Sequence, residues 1–364
     1  MKTEDILGTR LLKSHIELGA KMVSFAGYSM PVNYKKGIKH EYYAVRNNVG
    51  VFDVSHMGEI KVEGENSKKF LQNLTVNDIS KLNTGDAQYN LICNNEGGIK
   101  DDIILYMLSD FKFLLIVNAS NCDKIFKWMQ DVNCVDVNIK NKSMNYSLIA
   151  VQGPKSRKLL SEIFKEEINL LFYKHTCIKF NNIEVLLSRT GYTGELGFEI
   201  LGDHDLIFKL WNELIKKGVE PCGLAVRDIL RMEMKYCLYG NDITEETSPI
   251  EAGLSWVVEL SKKEFIGKSV LSKQKNEGIE KKLICFKMLD KCIPRKGYLI
   301  YDKENIKIGK VTSGTYSIGL EYGIGIGYID NYHLSKNLYI DLRNKKFKGI
   351  IVKPPLIKIF SLHH

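Results

Sequence analysis

No run of about eighteen apolar residues occurs in the chain, so no segment reads as a membrane-spanning helix. Metal-type cysteine spacings are also missing. The eight cysteines, at 93, 122, 134, 177, 222, 237, 285 and 292, form no Cys-x-x-Cys pair and have no histidine at ligand spacing beside them. A disulfide framework does not suit a chain of 364 residues, so they read as reduced, mostly buried thiols of a cytosolic or matrix protein. Met1 to Arg10 is mixed and charged, without the apolar core of a signal peptide, although a matrix-targeting segment removed beforehand would leave no trace.

Nucleotide and hydrolase motifs fail one by one. Ile266-Gly267-Lys268-Ser269 ends like a phosphate-binding loop, but the first glycine of that motif should stand at 262, which is lysine. Gly323-Ile-Gly325-Ile-Gly327 packs its glycines too closely for the dinucleotide fingerprint. Neither Gly-x-Ser-x-Gly nor His-Glu-x-x-His occurs. No spacing calls for a metal or a nicotinamide.

What is present is length for two or three domains at roughly 150 residues each. The formal net charge is +9, spread over scattered lysines. The densest groups are Lys262-Lys263, Lys281-Lys282 and Arg343 to Lys348. An acidic protein partner or an anionic small substrate accounts for this surface as well as nucleic acid does.

The most informative stretch is Gly97-Gly98-Ile99-Lys100-Asp101-Asp102-Ile103-Ile104-Leu105-Tyr106. Two glycines make a turn, and a β-branched strand follows. Alternation puts Asp102, Ile104 and Tyr106 on one face and Asp101, Ile103 and Leu105 on the other. A carboxylate sharing an apolar face with a tyrosine is poorly solvated, which suits proton chemistry or the grip of a polar heterocycle. The strand Ala87 to Asn94 precedes it and brings Tyr89 beside Asp102 in a hairpin. A β-rich unit with one or two helices runs from about residue 53 to about 140.

Other elements follow from pattern. Lys21 to Phe25 is a strand, then a turn leads into extended Met30-Pro31-Val32. Ile38 to Asn47 is a helix, and Val49 to Gly58 a strand ending in small and polar residues, where His56 reads as a structural hydrogen-bonder ahead of a catalytic base. The three glycines of Arg189 to Glu199 allow close backbone approach to a ligand. Only one of Glu195 and Glu199 is expected to face a pocket. Glu251 to Val258 reads as a strand and Lys273 to Lys282 as a charged linker. The remainder reads as a small all-β module of six short strands.

Seven stretches in this order resemble one family. They are Phe25-Ala-Gly-Tyr-Ser-Met-Pro-Val32, Val49-Gly-Val-Phe-Asp-Val-Ser-His-Met-Gly58, Gly97 to Tyr106, Arg189 to Glu199, Val226-Arg-Asp-Ile-Leu-Arg-Met-Glu233, Leu238-Tyr-Gly-Asn-Asp242 and Val311-Thr-Ser-Gly314. Together they are similar to the glycine cleavage T-protein family, the aminomethyltransferases, over nearly the whole chain.

The resemblance implies an α+β fold: a three-domain cloverleaf around a central folate site, with a C-terminal all-β module. The implied division is 1–52 plus 142–226, an α+β unit; 53–141 plus 227–275, ferredoxin-like; and 280–364, a β-barrel or jelly roll. The implied reaction passes the aminomethyl carbon from the lipoyl arm of H protein to tetrahydrofolate, with no metal, nicotinamide, nucleic acid or membrane involved. Location would be cytoplasmic, or the mitochondrial matrix after removal of a targeting segment.

Asp102 matches the catalytic aspartate. Met57, Tyr89, Ile104, Tyr106, Asn118, Glu199, Arg227 and Trp256 match the folate-site positions, with Tyr192 and Tyr239 as weaker matches. Arg295 and Lys296 are candidates for the basic docking face. Two departures stand out. Tyr28 replaces the usual tryptophan, and Pro354-Pro355-Leu356-Ile357-Lys358 carries no aromatic after its last proline. The terminal His363-His364 receive no role. Two other readings remain on this fold: a folate-dependent demethylase, and a non-catalytic folate-binding relative, which tends to lose the paired aspartates.

Overall fold

The computed structural model describes residues 6–332, 335–358 and 361–362; His363 and His364 lie outside them. The chain is α+β, with a three-stranded sheet, a six-stranded sheet, a five-stranded sheet and a closed six-stranded barrel.

The five-stranded sheet carries the paired aspartates. Ile99–Ser109 is its second strand, paired antiparallel with Ala87–Cys93 on one side and Lys112–Val117 on the other. Side-chain alternation divides it as expected. Ile103, Leu105 and Met107 enter a core with Phe70, Leu71, Ile125 and Met129, supplied by the helices Ser67–Leu74 and Cys122–Asp131. Ile104 and Tyr106 turn the other way, toward the six-stranded sheet.

That second sheet behaves likewise. Val51, Ile149, Val151, Phe198 and Ile200 pack against Leu160, Leu206, Leu210 and Trp211 of the helices Ser156–Phe164 and His204–Lys216. Burying each large side chain contributes about 1.5–3 kcal/mol. Phe52, Leu148, Ala150 and Leu201 face inward to meet Tyr106, Leu114 and Ile116. The helix Leu224–Glu233 adds Val226, Ile229 and Leu230 to this inter-sheet core. Glu199, two residues before Leu201 on the strand Gly197–Asp203, therefore points into the same layer.

The late strands close the barrel in the order Lys281–Met288, Tyr322–Asp330, Lys307–Ser317, Leu299–Tyr301, Asn337–Leu342, Lys345–Val352. The barrel docks through Arg231, whose guanidinium reaches Asp242 at 2.6 Å and Ser313 at 2.8 Å. Leu356 is tied back by its amide to the Glu233 carbonyl at 2.7 Å.

Two expectations are corrected. Glu251 to Val258 is not a strand but a series of turns ending in the 3-10 helix Ser255–Val257, because Gly253 adopts φ +69° and breaks the extended run. Lys273 to Lys282 is not a linker. It contains the end of the helix Lys268–Glu277 and the start of the strand Lys281–Met288. That helix buries Leu271 alone, so it shows no apolar stripe in sequence.

Candidate active site

Gly97 and Gly98 set the turn that aims the paired aspartates. Gly97 sits at φ +79°, and a Cβ on Gly98 would lie 1.7 Å from the carbonyl oxygen of Glu245. The loop thus closes on the turn, and Ile99 donates its amide to Thr244 and Thr247 at 3.1 and 2.9 Å. Lys100 and Lys124 both pair with Glu245, at 3.1 and 2.9 Å.

Asp102 is half-buried and held from two sides. Tyr89 donates its hydroxyl to Oδ2 at 3.2 Å, and Asn118 donates Nδ2 to Oδ1 at 2.8 Å. Burial pushes its proton affinity up to about 6, against the lowering effect of Asn118 and Tyr89. Asp101, on the opposite face, is fully buried; burial first, then the Asp102 charge, push it up to about 8. Both carboxyls of the pair are thus raised, and their titrations are coupled.

Trp256 stacks on Tyr89, and Ile104 stands opposite Tyr89 in the sheet register. Met57 precedes Gly58, which pairs with Val117, so Met57 falls beside Asn118 at the sheet's end. Tyr239 lies at the rim, where its hydroxyl accepts from Lys124 at 2.9 Å.

Tyr106 links this group to the facing sheet. Its hydroxyl lies 3.2 Å from the Ser188 hydroxyl and 3.3 Å from that of Thr190. Thr190 in turn donates to Oε2 of Glu199. Among the described residues Oε1 of Glu199 has no hydrogen-bond partner. Burial raises Glu199, with Thr190 and then Arg227 pulling it back. Arg227 lies with its guanidinium carbon 4.6 Å from the Tyr192 ring centroid and, among the described residues, forms no ion pair or side-chain hydrogen bond. Arg227, which stacks on Tyr192 without an ion pair or side-chain hydrogen bond among the described residues, and Oε1 of Glu199 thus lie in the inter-sheet layer that Asp102 faces.

Glu195 and Glu199 part company. Glu195 is consumed by Arg46 at 3.0 Å and by Ser361. His56 is buried, pushed down to about 4 by burial and then by Arg227, and its Nδ1 has no partner among the described residues. Tyr28 lies 6.3 Å from the His56 ring and lines a separate surface cleft of about 680 Å³ with Arg10, Ser143 and Tyr146.

Ser188, Thr190 and Asn121 join the site without having stood out in the sequence. Thr190 lies within Arg189 to Glu199, and its hydroxyl next to three glycines was the available signal. Lys296 and Arg295 are exposed, and their hydrogen bonds go to neutral groups, which leaves both charges unpaired by any carboxylate among the described residues. Lys296 donates to the Gly240 carbonyl at 2.8 Å and to Asn241 at 2.5 Å, and Arg295 donates to Gly314 at 3.3 Å. Among the described residues no cluster of three His, Cys, Asp or Glu side chains is placed to hold a metal ion, and no helix is long and apolar enough to cross a membrane.

Comparison with known proteins shows the family of this fold. The GCVT N-terminal domain matches residues 11–262, and the glycine cleavage T-protein C-terminal barrel domain matches residues 281–358. The aminomethyltransferase of Halothermothrix orenii is 45% identical over 356 residues, covering 96% of this chain and 99% of its own. That of Flavobacterium psychrophilum is 44% identical over 358 residues, with coverage of 96% and 99%. The crystal structure of glycine cleavage system aminomethyltransferase T from Bartonella henselae superposes with a TM-score of 0.91 at 31% identity, covering 97% of this chain and 98% of its own. Fold, barrel and matches define a transferase of the aminomethyltransferase class. The chain belongs to the glycine cleavage T-protein family.

Proposed function

We propose that this aminomethyltransferase takes the methylene carbon from the aminomethyl-dihydrolipoyl arm of H protein and delivers it to tetrahydrofolate. Ammonia leaves, methylene-tetrahydrofolate forms and the dihydrolipoyl arm is returned. One observation carries the reading: a half-buried carboxylate, Asp102, is fixed by Tyr89 and Asn118 on the face of its sheet that meets the layer of Glu199 and of Arg227, whose guanidinium stacks on Tyr192.

Each role follows from chemistry. Two folate nitrogens form bonds to the methylene carbon as its bonds to the amine nitrogen and to the lipoyl sulfur break. One electron pair leaves with ammonia, the other stays on the sulfur, and the two folate N–H protons pass to the ammonia and the thiol. Positive charge develops at that carbon, and a fixed anion beside it stabilises the transition state by several kcal/mol. Raised by burial above the usual carboxylate range, Asp102 also suits proton exchange with the folate nitrogens. Glu199 offers Oε1 to the donor edge of the pterin, which a carboxylate matches with paired acceptors. Arg227 suits a carbonyl or carboxylate of the folate. Met57, Ile104, Tyr106 and Trp256 supply apolar and aromatic walls. The three-unit division around a central folate site, and a cytoplasmic location, belong to this proposal.

A positive surface would steer an acidic H protein, so affinity should fall as salt rises. The test is to offer aminomethylated H protein and tetrahydrofolate, and separately free N-methyl and S-methyl donors. Methylene-tetrahydrofolate from the first alone supports the reading. Methyl-tetrahydrofolate from the free donors without H protein makes the chain a demethylase.

A further inference from the structure

We propose that Asp101 is a positioning residue for Asp102, acting through Asn118. This rests on the reading of Asp102 as the reacting carboxylate.

Strand alternation sends Asp101 away from the folate layer, into the helix-covered core, where it is fully buried. A carboxylate in such a place is costly unless its oxygens are satisfied. Among the described residues it has no cationic partner. Its partners are all N–H donors: the Asn118 amide to Oδ2 at 3.0 Å, Asn118 Nδ2 to Oδ1 at 2.8 Å, and Asn121 Nδ2 to Oδ1 at 2.5 Å. The same Asn118 Nδ2 then reaches Asp102, at 2.8 Å from Oδ1 and 3.1 Å from its carbonyl.

One amide nitrogen thus bridges two carboxylates that the backbone points to opposite faces. Asp101 decides which way that amide faces. With Asp101 in place, a flipped Asn118 would turn its carbonyl oxygen onto two acceptors, so the nitrogen is locked inward. Asp102 Oδ1 is pinned as a result. Oδ2, with only the longer Tyr89 contact at 3.2 Å, is the oxygen left to a ligand.

Other titratable groups in range of the pair are Tyr89, Tyr173, Tyr192, Cys237, Tyr239 and Asp242. Burial raises the phenols and the thiol, and Asp242 is tied to Arg231 at 2.6 Å. Among the described residues Asp101 and Asp102 are the carboxylates of this group without a cationic partner, and burial raises both.

The experiment compares Asp101→Asn, Asn118→Ser and the double variant in the full chain, each checked for folding by melting temperature. We expect Asp101→Asn to lower kcat about 100-fold, the usual cost of a misplaced reacting group, with KM for tetrahydrofolate changed less than about threefold. In the Asn118→Ser background the same substitution should cost little more, because the relay is already cut. The pH profile should change from two coupled steps to one, a change that a merely structural aspartate would not cause. Carbon-13 NMR of the Asp102 carboxyl measures the same coupling without turnover, so the test also works on a wild type that is inactive in the assay. Additive losses in the double variant, or a profile of unchanged shape, overturn the proposal. Full activity of Asp102→Asn would overturn the functional reading instead.

Discussion

The indole of Trp256 lies almost parallel to the phenol ring of Tyr89, with centroids 5.8 Å apart and 20° between planes, while 71% of Trp256 remains exposed. An exposed indole contributes little to the fold but offers a stacking face at the rim of the Asp102 site. Trp256→Ala should shift unfolding free energy by no more than about 0.5 kcal/mol. It should weaken tetrahydrofolate binding about tenfold, in the range expected for one lost aromatic contact. Thermal melts and a fluorescence titration check both. Unchanged affinity would remove Trp256 from the site.

Tyr89 also donates to Asp102 at 3.2 Å. That bond favours the ionised carboxylate and pulls its titration down. Tyr89→Phe keeps the ring and its stack but deletes the donor. The acid limb of the kcat profile should move to higher pH, and stability should fall by about 1 kcal/mol. A limb that stays in place would separate Tyr89 from the chemistry.

Glu59 is fully buried, and neither carboxylate oxygen has a partner among the described residues. Burial raises it well above the ordinary carboxylate value. The folded chain therefore keeps a proton that the unfolded chain releases above about pH 4.3. Its stabilising share is complete below that pH and is lost as pH rises toward the folded value. Glu59→Gln should flatten this decline, so the variant gains stability relative to wild type as pH rises above the ordinary glutamate value. Parallel urea-stability curves for the two proteins would contradict the assignment.

Arg231 is 1% exposed and binds Asp242, Asp228, Ser313 and the Tyr236 carbonyl, bridging the helix Leu224–Glu233 to the barrel. Removing it strands Asp242, itself buried. Arg231→Met should cost about 3–5 kcal/mol. Denaturant unfolding checks this, and a loss under about 1 kcal/mol would mean that Asp242 finds another partner.

The parts legible in sequence were those set by local rules. Period-two alternation placed Asp102, Ile104 and Tyr106 on one face, and the glycine pair marked the turn before them. The number and order of the barrel strands were legible from β-branched runs bounded by turn residues, but Lys307–Ser317 and Tyr322–Asp330, of 11 and 9 residues, run longer than their local pattern shows. What failed did so where composition misled. Trp256-Val257-Val258 looks extended, yet turn chemistry around Gly253 prevails. Lys262 belonged to a basic run that reads as surface, but it is buried and donates to the carbonyls of Thr75 and Asn77 at 2.5 and 3.0 Å.

Long-range pairing carried no local signal at all. The strand Gly50–Asp53 joins Tyr146–Gln152 across about a hundred residues of intervening chain. That pairing belongs to the sheet whose inner face brings Glu199 toward Tyr106. Family resemblance supplied Glu199 and Arg227; periodicity alone would have left them apart. The relay through Asn118 was invisible for the same reason, because it forms where two strand ends meet.

The most direct measurement is methylene-tetrahydrofolate formation from aminomethylated H protein by wild type and by Asp102→Asn, with folding and folate binding checked in both. Asp102 as the reacting carboxylate predicts turnover in wild type and a collapse of at least about a hundredfold in the variant. Full turnover in a folded Asp102→Asn protein would contradict that role.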